Sequence, residues 1–270
     1  MQKNTLQELY RGRRESVRAT GLDETTAISL YQNYIQFVIQ SAAPPASLLD
    51  VGCGSGWTSY LFCQAGYNVT GLDLNATAFE CPNHPNLRLV EGSSMDLPYA
   101  EATFDVVASH QALEHMPDPE RAIREMLRVL KPGGTFCVVG PNLLSLLQLL
   151  RGISIYVWRN RPLTTIFWRS ATMPKHPWGN TLPEMLGSVP SLLGLIWVKT
   201  LDSKATFSMR EPDLTPPFEA DNDACYLCNP LDFQKFLPTQ NCQIRQNGFY
   251  GRSKFTSLIA SGTYIAARKQ

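Results

Sequence analysis

The 270-residue chain lacks any charge excess: 24 Lys and Arg stand against 23 Asp and Glu, a formal net charge of +1. That balance supplies no overall field for a polyanion, so nucleic acid is not expected as a partner and any basic surface must be local. The N-terminal run MQKNTLQELYRGRRESVR contains no apolar stretch of the kind a secretory signal needs. Nor is there an unbroken apolar run of the ~20 residues that crosses a bilayer. The uncharged stretch from Pro132 to Leu150 is cut by Pro132, Gly133, Gly134, Gly140 and Pro141, and Met185 to Val198 is too short and interrupted by Pro190. These lengths predict core or interfacial helices. Cysteines 53, 63, 81, 137, 225, 228 and 242 are scattered, several inside apolar runs. They predict free, mostly buried thiols in a reducing compartment, hence a cytoplasmic location. Cys225 and Cys228 form a lone CxxC. A structural zinc site needs four ligands and no second pair stands at a suitable spacing, so no metal is expected.

What is present is a globular composition, 44% hydrophobic and 17% charged, in a length that suits one α/β domain plus an insertion. Residues 1–22 are polar and Arg-rich. Asp23 or Thr25 is placed to cap a helix running to about Ser41, with Ile28, Tyr31, Ile35 and Val38 on one apolar face, and Pro44-Pro45 ends it. A regular alternation follows. Strands are predicted at 47–52, 68–74, 87–91, 104–110 and 135–140, with a helix from Gly56 to Ala65. A second helix opens at Asp118 or Pro119 and carries Ala122, Ile123, Met126, Leu127 and Leu130 at helical spacing, with a turn at 131–134. Short apolar strands alternating with helices indicate a parallel sheet covered on both faces. From Pro141 to about Asp223 the rhythm is lost and a helical insertion is expected; it resumes as a helix at 231–237 and strands at 242–251 and 261–269. The expected organisation is an N-terminal helical segment (1–45), an α/β core (46–142), a helical cap (143–223) and a C-terminal unit completing the sheet (224–270).

The run Asp50-Val51-Gly52-Cys53-Gly54-Ser55-Gly56 follows a strand and opens a helix. Glycines there let the backbone turn sharply and approach a ligand without a Cβ clash. Dinucleotide enzymes use the spacing GxGxxG; here the spacing is GxGxG, and Trp57 stands where the third glycine of that fingerprint belongs. The next strand ends in Asp73, about 20 residues downstream, where a carboxylate can accept from both hydroxyls of a ribose. A glycine cluster alone is also what a tight turn needs. In company with Asp73 it predicts an adenosine-type ligand.

LLDVGCGSGWTSYLFCQAGYNVTGLDLN, followed by GSSMDLPYAEATFDVVASHQALEHMPDPERAIREMLRVLKPGG, closely resembles class I methyltransferases of the ubiquinone/menaquinone-biosynthesis type over about residues 46–142. The resemblance implies a doubly wound, mostly parallel seven-stranded α/β sheet with an antiparallel final strand, and S-adenosyl-L-methionine as cofactor. It implies that Asp50, Gly52, Cys53, Gly54 and Gly56 contact or shape the methionine end, that Asp73 holds the ribose and that Leu74 packs on the adenine. Ser93, Ser94 and Met95 then lie at the adenine edge, and His110 touches the methionyl portion.

Methyl transfer is an in-line displacement at a carbon already activated by a sulfonium, so the protein must align a nucleophile and, for a hydroxyl, remove its proton. His110 and His115 are the candidate catalytic bases, because histidine titrates near neutral pH. Their presence favours O-methylation. Relatives that bind a metal here carry Glu-x-x-Glu-His; Gln111 replaces the first carboxylate in Gln111-Ala112-Leu113-Glu114-His115, which again predicts no catalytic metal. Within the cap, His176, Trp178, Arg210, Glu211, Glu219, Asp221 and Asp223 are candidate contacts to a small-molecule, lipid-linked or glycan-precursor acceptor. Trp158, Arg159, Arg161, Trp168 and Arg169 suit the inner face of a membrane, where rings and cations both fit. An NAD(P)-linked oxidoreductase and a non-catalytic cofactor-binding scaffold are the alternative readings.

Overall fold

The computed structural model describes residues 22–75, 79–142, 145, 182–209, 224–247 and 262–270. Helix α1 (Glu24–Ser41) begins where Asp23 Oδ1 accepts from the Thr26 amide at 2.7 Å, satisfying one of the donors a helix start leaves open. Its buried face is Ala27, Tyr34, Ile35, Phe37 and Val38, and Ile28 is 44% exposed. Ile35 and Val38 are thus buried as expected and Tyr31 is half-buried, whereas Ile28 turns outward and Ala27, Tyr34 and Phe37 complete the buried face.

Strands β1 (Ser47–Val51), β2 (Asn68–Asp73), β3 (Leu87–Glu91), β4 (Phe104–His110), β5 (Leu130–Pro141), β6 (Cys242–Asn247) and β7 (Gly262–Lys269) form one sheet in the order β3-β2-β1-β4-β5-β7-β6. The first five pair in parallel, and β7 runs antiparallel to both β5 and β6. Alternate residues face opposite layers, as a pleat requires. Leu49, Val107 and Phe136 pack with Ala122, Ile123 and Met126 of α3 (Pro119–Val129), while Leu48, Val106 and Cys137 pack with α1 and with α2 (Trp57–Gln64). The near-continuous apolar runs of the strands follow from this burial on both sides.

Three local expectations change. Leu130 opens β5 instead of closing α3. The predicted turn at 131–134 lies inside β5: Phe104 pairs with Leu130 and Val106 with Thr135, so these residues bulge out of the ladder, with Gly133 at φ +74°. Pro190 lies within α4 (Leu182–Leu201) and does not interrupt it. Predicted elements at 143–181, 210–223 and 248–251 fall outside the described residues.

Helix α4 meets α5 (Pro230–Thr239) through a buried ion pair. Lys199 Nζ donates to Asp232 Oδ1 at 2.7 Å and Oδ2 at 2.8 Å, and both side chains are 1% exposed. Thr206 Oγ1 takes a further Lys199 bond at 3.0 Å, and Asp232 also accepts from Tyr226 Oη and Asn229 Nδ2. The desolvation of both charges is offset only while this network is complete. Asp232→Ala strands the ammonium and is expected to lower unfolding free energy by about 3–5 kcal/mol. Urea denaturation checks this; a loss below about 1 kcal/mol, the range of exposed pairs, contradicts it.

Candidate functional site

In an open parallel sheet, ligands bind beyond the carboxyl ends of the strands, where the strand order reverses. Here β1 is that point, with β2 on one side and β4 on the other. The chain leaves β1 through a loop in which Gly52, Gly54 and Gly56 have φ of +73°, +57° and +85°. A Cβ at Gly52 would stand 2.5 Å from the Ala112 Cβ, so the residue must be glycine for two reasons. At Gly54 a Cβ would meet no heavy atom of the described residues within 4 Å.

The loop is tied to the end of β2. Gly52 and Cys53 amides donate to the Leu72 carbonyl at 2.7 and 3.2 Å, and the Gly54 amide donates to Asp73 Oδ2 at 2.8 Å. Asp73 Oδ1 accepts from the Asn75 amide at 3.1 Å, and the Asp73 carbonyl accepts from the Gly92 amide at 2.8 Å. The turn after β3 is thereby anchored as well. In it Ser93 and Ser94 are buried and Met95 half-buried, with Ser93 Oγ accepting from the Met95 amide at 3.3 Å. Ser94 Oγ donates to Met116 Sδ at 3.3 Å. Leu74 stands half-buried beside Asp73. The structure therefore brings the glycine loop, Asp73, Leu74 and Ser93–Met95 to one edge of the sheet. A carboxylate oxygen accepts more than one hydrogen bond, so holding the loop does not prevent Asp73 from taking ribose hydroxyls.

Residues 49–138 match the methyltransferase domain family. Over 100 residues the chain is 39% identical to 2-methyl-6-phytyl-1,4-hydroquinone methyltransferase 1, chloroplastic, of Oryza sativa subsp. japonica, an alignment covering 35% of this chain and 30% of that protein. Over 99 residues it is 34% identical to demethylmenaquinone methyltransferase of Renibacterium salmoninarum, covering 36% and 42% respectively. The matched region thus spans less than half the length of these curated relatives. The fold is similar to that of a solved S-adenosylmethionine dependent methyltransferase from Mesorhizobium loti, with a TM-score of 0.55 at 15% identity over 88% of this chain and 97% of that one. Residues 49–138 are thus similar to a methyltransferase domain.

Asp50 precedes the glycine loop at the end of β1 and is 1% exposed. Its Oδ2 accepts from Thr58 Oγ1 at 2.6 Å and Ser59 Oγ at 2.8 Å, and its Oδ1 accepts from Tyr34 Oη at 3.4 Å. Burial outweighs these donors and raises its pKa to about 6. Asp50 therefore ties the end of β1 to the first turn of α2 and to α1. The Cys53 thiol also points inward, 3.0 Å from where a Gly71 Cβ would stand, and burial pushes its pKa well up; only its backbone belongs to the loop surface.

His110 ends β4 and packs on α1: its ring centroid is 4.7 Å from Tyr34 and 5.7 Å from Tyr31. Burial lowers its pKa to about 4, so it is neutral at physiological pH and a weaker base than histidine in water. His115 closes a short 3-10 turn (Leu113–His115) and is half-buried. Glu114 of that turn is 3% exposed, and its carbonyl accepts from the Cys225 and Tyr226 amides at 2.7 and 3.0 Å, stitching the CxxC segment to the site's rim. Gln111 is exposed while Glu114 is buried. Tyr34, Thr58 and Ser59 escaped the reading of the sequence. The two hydroxyls directly follow Trp57 on the first turn of α2, which is the one signal that pointed to them. The cap residues named above, from His176 to Asp223 and from Trp158 to Arg169, lie outside the described residues.

The two perturbed groups give opposite pH dependence. Asp50 holds its proton more tightly folded (about 6) than unfolded (about 3.9), so its stabilising contribution is full below pH ~4 and lost as pH rises through 6. His110 is protonated less readily folded (about 4) than unfolded (about 6.5), so its contribution is present above pH ~6.5 and lost as pH falls to 4. The slopes oppose each other in wild type. Asp50→Asn is expected to make stability climb more steeply with pH between 4 and 6.5, by about 2–3 kcal/mol, and His110→Gln to make it fall. Urea midpoints at pH 4.5 and 7 for the three proteins check this; parallel profiles contradict it.

Proposed function

We propose that the chain is an S-adenosylmethionine-dependent methyltransferase whose acceptor is a small or lipid-linked molecule, with a hydroxyl oxygen as the favoured target. The observation that carries this reading is the Gly54 amide held at 2.8 Å by the Asp73 carboxylate, inside a GxGxG loop at the switch point of the sheet. Trp57, buried at the start of α2, weighs against a dinucleotide. When bound, the cofactor supplies a methyl group activated by its sulfonium. Asp73 holds the ribose, Leu74 and the Ser93–Met95 turn flank the adenine, and Asp50 keeps the loop in shape. With His110 neutral and a poor base, removal of the acceptor's proton falls to the His115 ring.

The named relatives act on a phytyl hydroquinone and on demethylmenaquinone, which supports a hydroquinone bearing an apolar tail as acceptor. No helix among the described residues is long and apolar enough to cross a membrane. The outward face of α4 nevertheless presents Leu193, Trp197, Val198 and Leu201, with Trp197 66% exposed, and this supports peripheral contact with lipid where such an acceptor dissolves.

Calorimetric titration with S-adenosylhomocysteine tests the cofactor reading. Wild type is expected to bind, and Asp73→Ala to weaken binding by at least about tenfold, the loss of hydrogen bonds to a charged group. Stabilisation by NAD and not by S-adenosylhomocysteine contradicts it. For the acceptor, labelled methyl is expected to pass to a prenylated hydroquinone in anionic liposomes, less efficiently with Trp197→Ala; equal rates for both proteins remove the lipid-contact part.

A further inference from the structure

Left-handed backbone is costly for any residue with a Cβ, so glycine usually takes it. The loop after β1 follows that rule at Gly52, Gly54 and Gly56. The loop after β4 does not, because Gln111 has φ +49°. Phe207 departs in the same way at φ +34°, and there the ring explains it, buried and set edge-on to Phe236 at 5.2 Å. Gln111 has no such place in the core. It is exposed, and its carboxamide makes no hydrogen bond with the described residues. A strained residue whose side chain the fold does not use points to a ligand.

The backbone of Gln111 is fixed on both sides. Its amide donates to the Val139 carbonyl at 2.8 Å, which ties it to the end of β5. The next residue, Ala112, stands so close to the glycine loop that a Cβ at Gly52 would lie 2.5 Å from the Ala112 Cβ. The Ala112 carbonyl then accepts from the His115 amide at 3.1 Å, in the short turn that carries the candidate base. Gln111 therefore sits where the loops after β1 and β4 meet, beside the switch point of the sheet and on the same loop as His115.

A carboxamide pairs an accepting oxygen with donating N–H groups and carries no charge. It suits a neutral oxygen in either state, a hydroxyl that donates or an ether or carbonyl that accepts. It takes no proton from the acceptor, and so leaves that step to His115. We infer that Gln111 is a binding residue for the acceptor and holds its second oxygen, the one that is not methylated. Holding that oxygen fixes which of two hydroxyls is turned toward the methyl group. The inference rests on the acceptor reading above, since a ring with one oxygen would leave the carboxamide unused.

Two probes test it in anionic liposomes of one composition, a prenylated hydroquinone and a phenol with the same tail and a single hydroxyl. Wild type is expected to favour the hydroquinone by about fivefold in kcat/KM, the size of one hydrogen bond between neutral groups. Gln111→Gly is expected to cut that preference to less than about twofold, mainly by raising KM for the hydroquinone. Its dissociation constant for S-adenosylhomocysteine stays within about twofold of wild type. Its urea midpoint is equal or higher, because glycine accepts the left-handed backbone. Gln111→Leu is the second variant and loses the same preference without the gain in stability. No preference in wild type, or one that survives in both variants, overturns the inference. A lower urea midpoint for Gln111→Gly, or an equal weakening of S-adenosylhomocysteine, also overturns it by making the side chain structural. Wild type that binds S-adenosylhomocysteine but methylates neither probe overturns the acceptor reading and the inference with it. Wild type that does not bind S-adenosylhomocysteine overturns the cofactor reading itself.

Discussion

A single hydrogen bond, from the Gly54 amide to Asp73 Oδ2 at 2.8 Å, joins the two loops on which the rest of the site depends. It requires three conditions together. The backbone must run through positive φ at Gly52, Gly54 and Gly56; β1 and β2 must be adjacent and parallel; and a carboxylate must end β2. Each is supplied by a different part of the sequence. The bond couples them, so that the loop is already fixed in place before anything binds. Preorganisation of this kind lowers the ordering cost of association. The Gly92 amide on the Asp73 carbonyl extends the same tie to the turn after β3.

Below this surface the loop rests on a polar pocket that the sheet encloses. Asp50 is buried, yet three hydroxyls converge on it, two from α2 and one from α1. Burial raises the carboxyl and lowers the neighbouring imidazole, so the two titrate across an overlapping range with opposite consequences for folding. A site bordered by both groups changes little in net stability over that range, although each group separately is strongly perturbed.

Much of this was legible in the residues. Strands show as short apolar runs, and Asp23, Asp118 and Pro119 mark helix starts by capping chemistry that acts within three residues. Asp73 is found by its distance from the glycines. What escaped depends on partners far apart in the chain. Tyr34 reads as one more apolar position in α1; only packing shows that its hydroxyl reaches Asp50 and its ring His110. Lys199 and Asp232 look like surface charges until α4 and α5 meet and bury both. The residues at 131–134 have the composition of a turn, and only pairing with β4 shows that β5 absorbs them as a bulge. A pKa cannot be read from a sequence at all when desolvation is its main cause, as it is for Asp50 and His110.

The central claim is that the coupled glycine loop and Asp73 form a ready cradle for an adenosine cofactor. A crystal structure with S-adenosylhomocysteine tests it most directly. The account predicts both ribose hydroxyls within hydrogen-bond reach of Asp73 while the Gly54 amide stays bonded to the same carboxylate, and the homocysteine arm directed across Gly52–Gly56 toward β4. A ligand seated elsewhere, or an Asp73 that abandons Gly54 to bind it, would contradict the account.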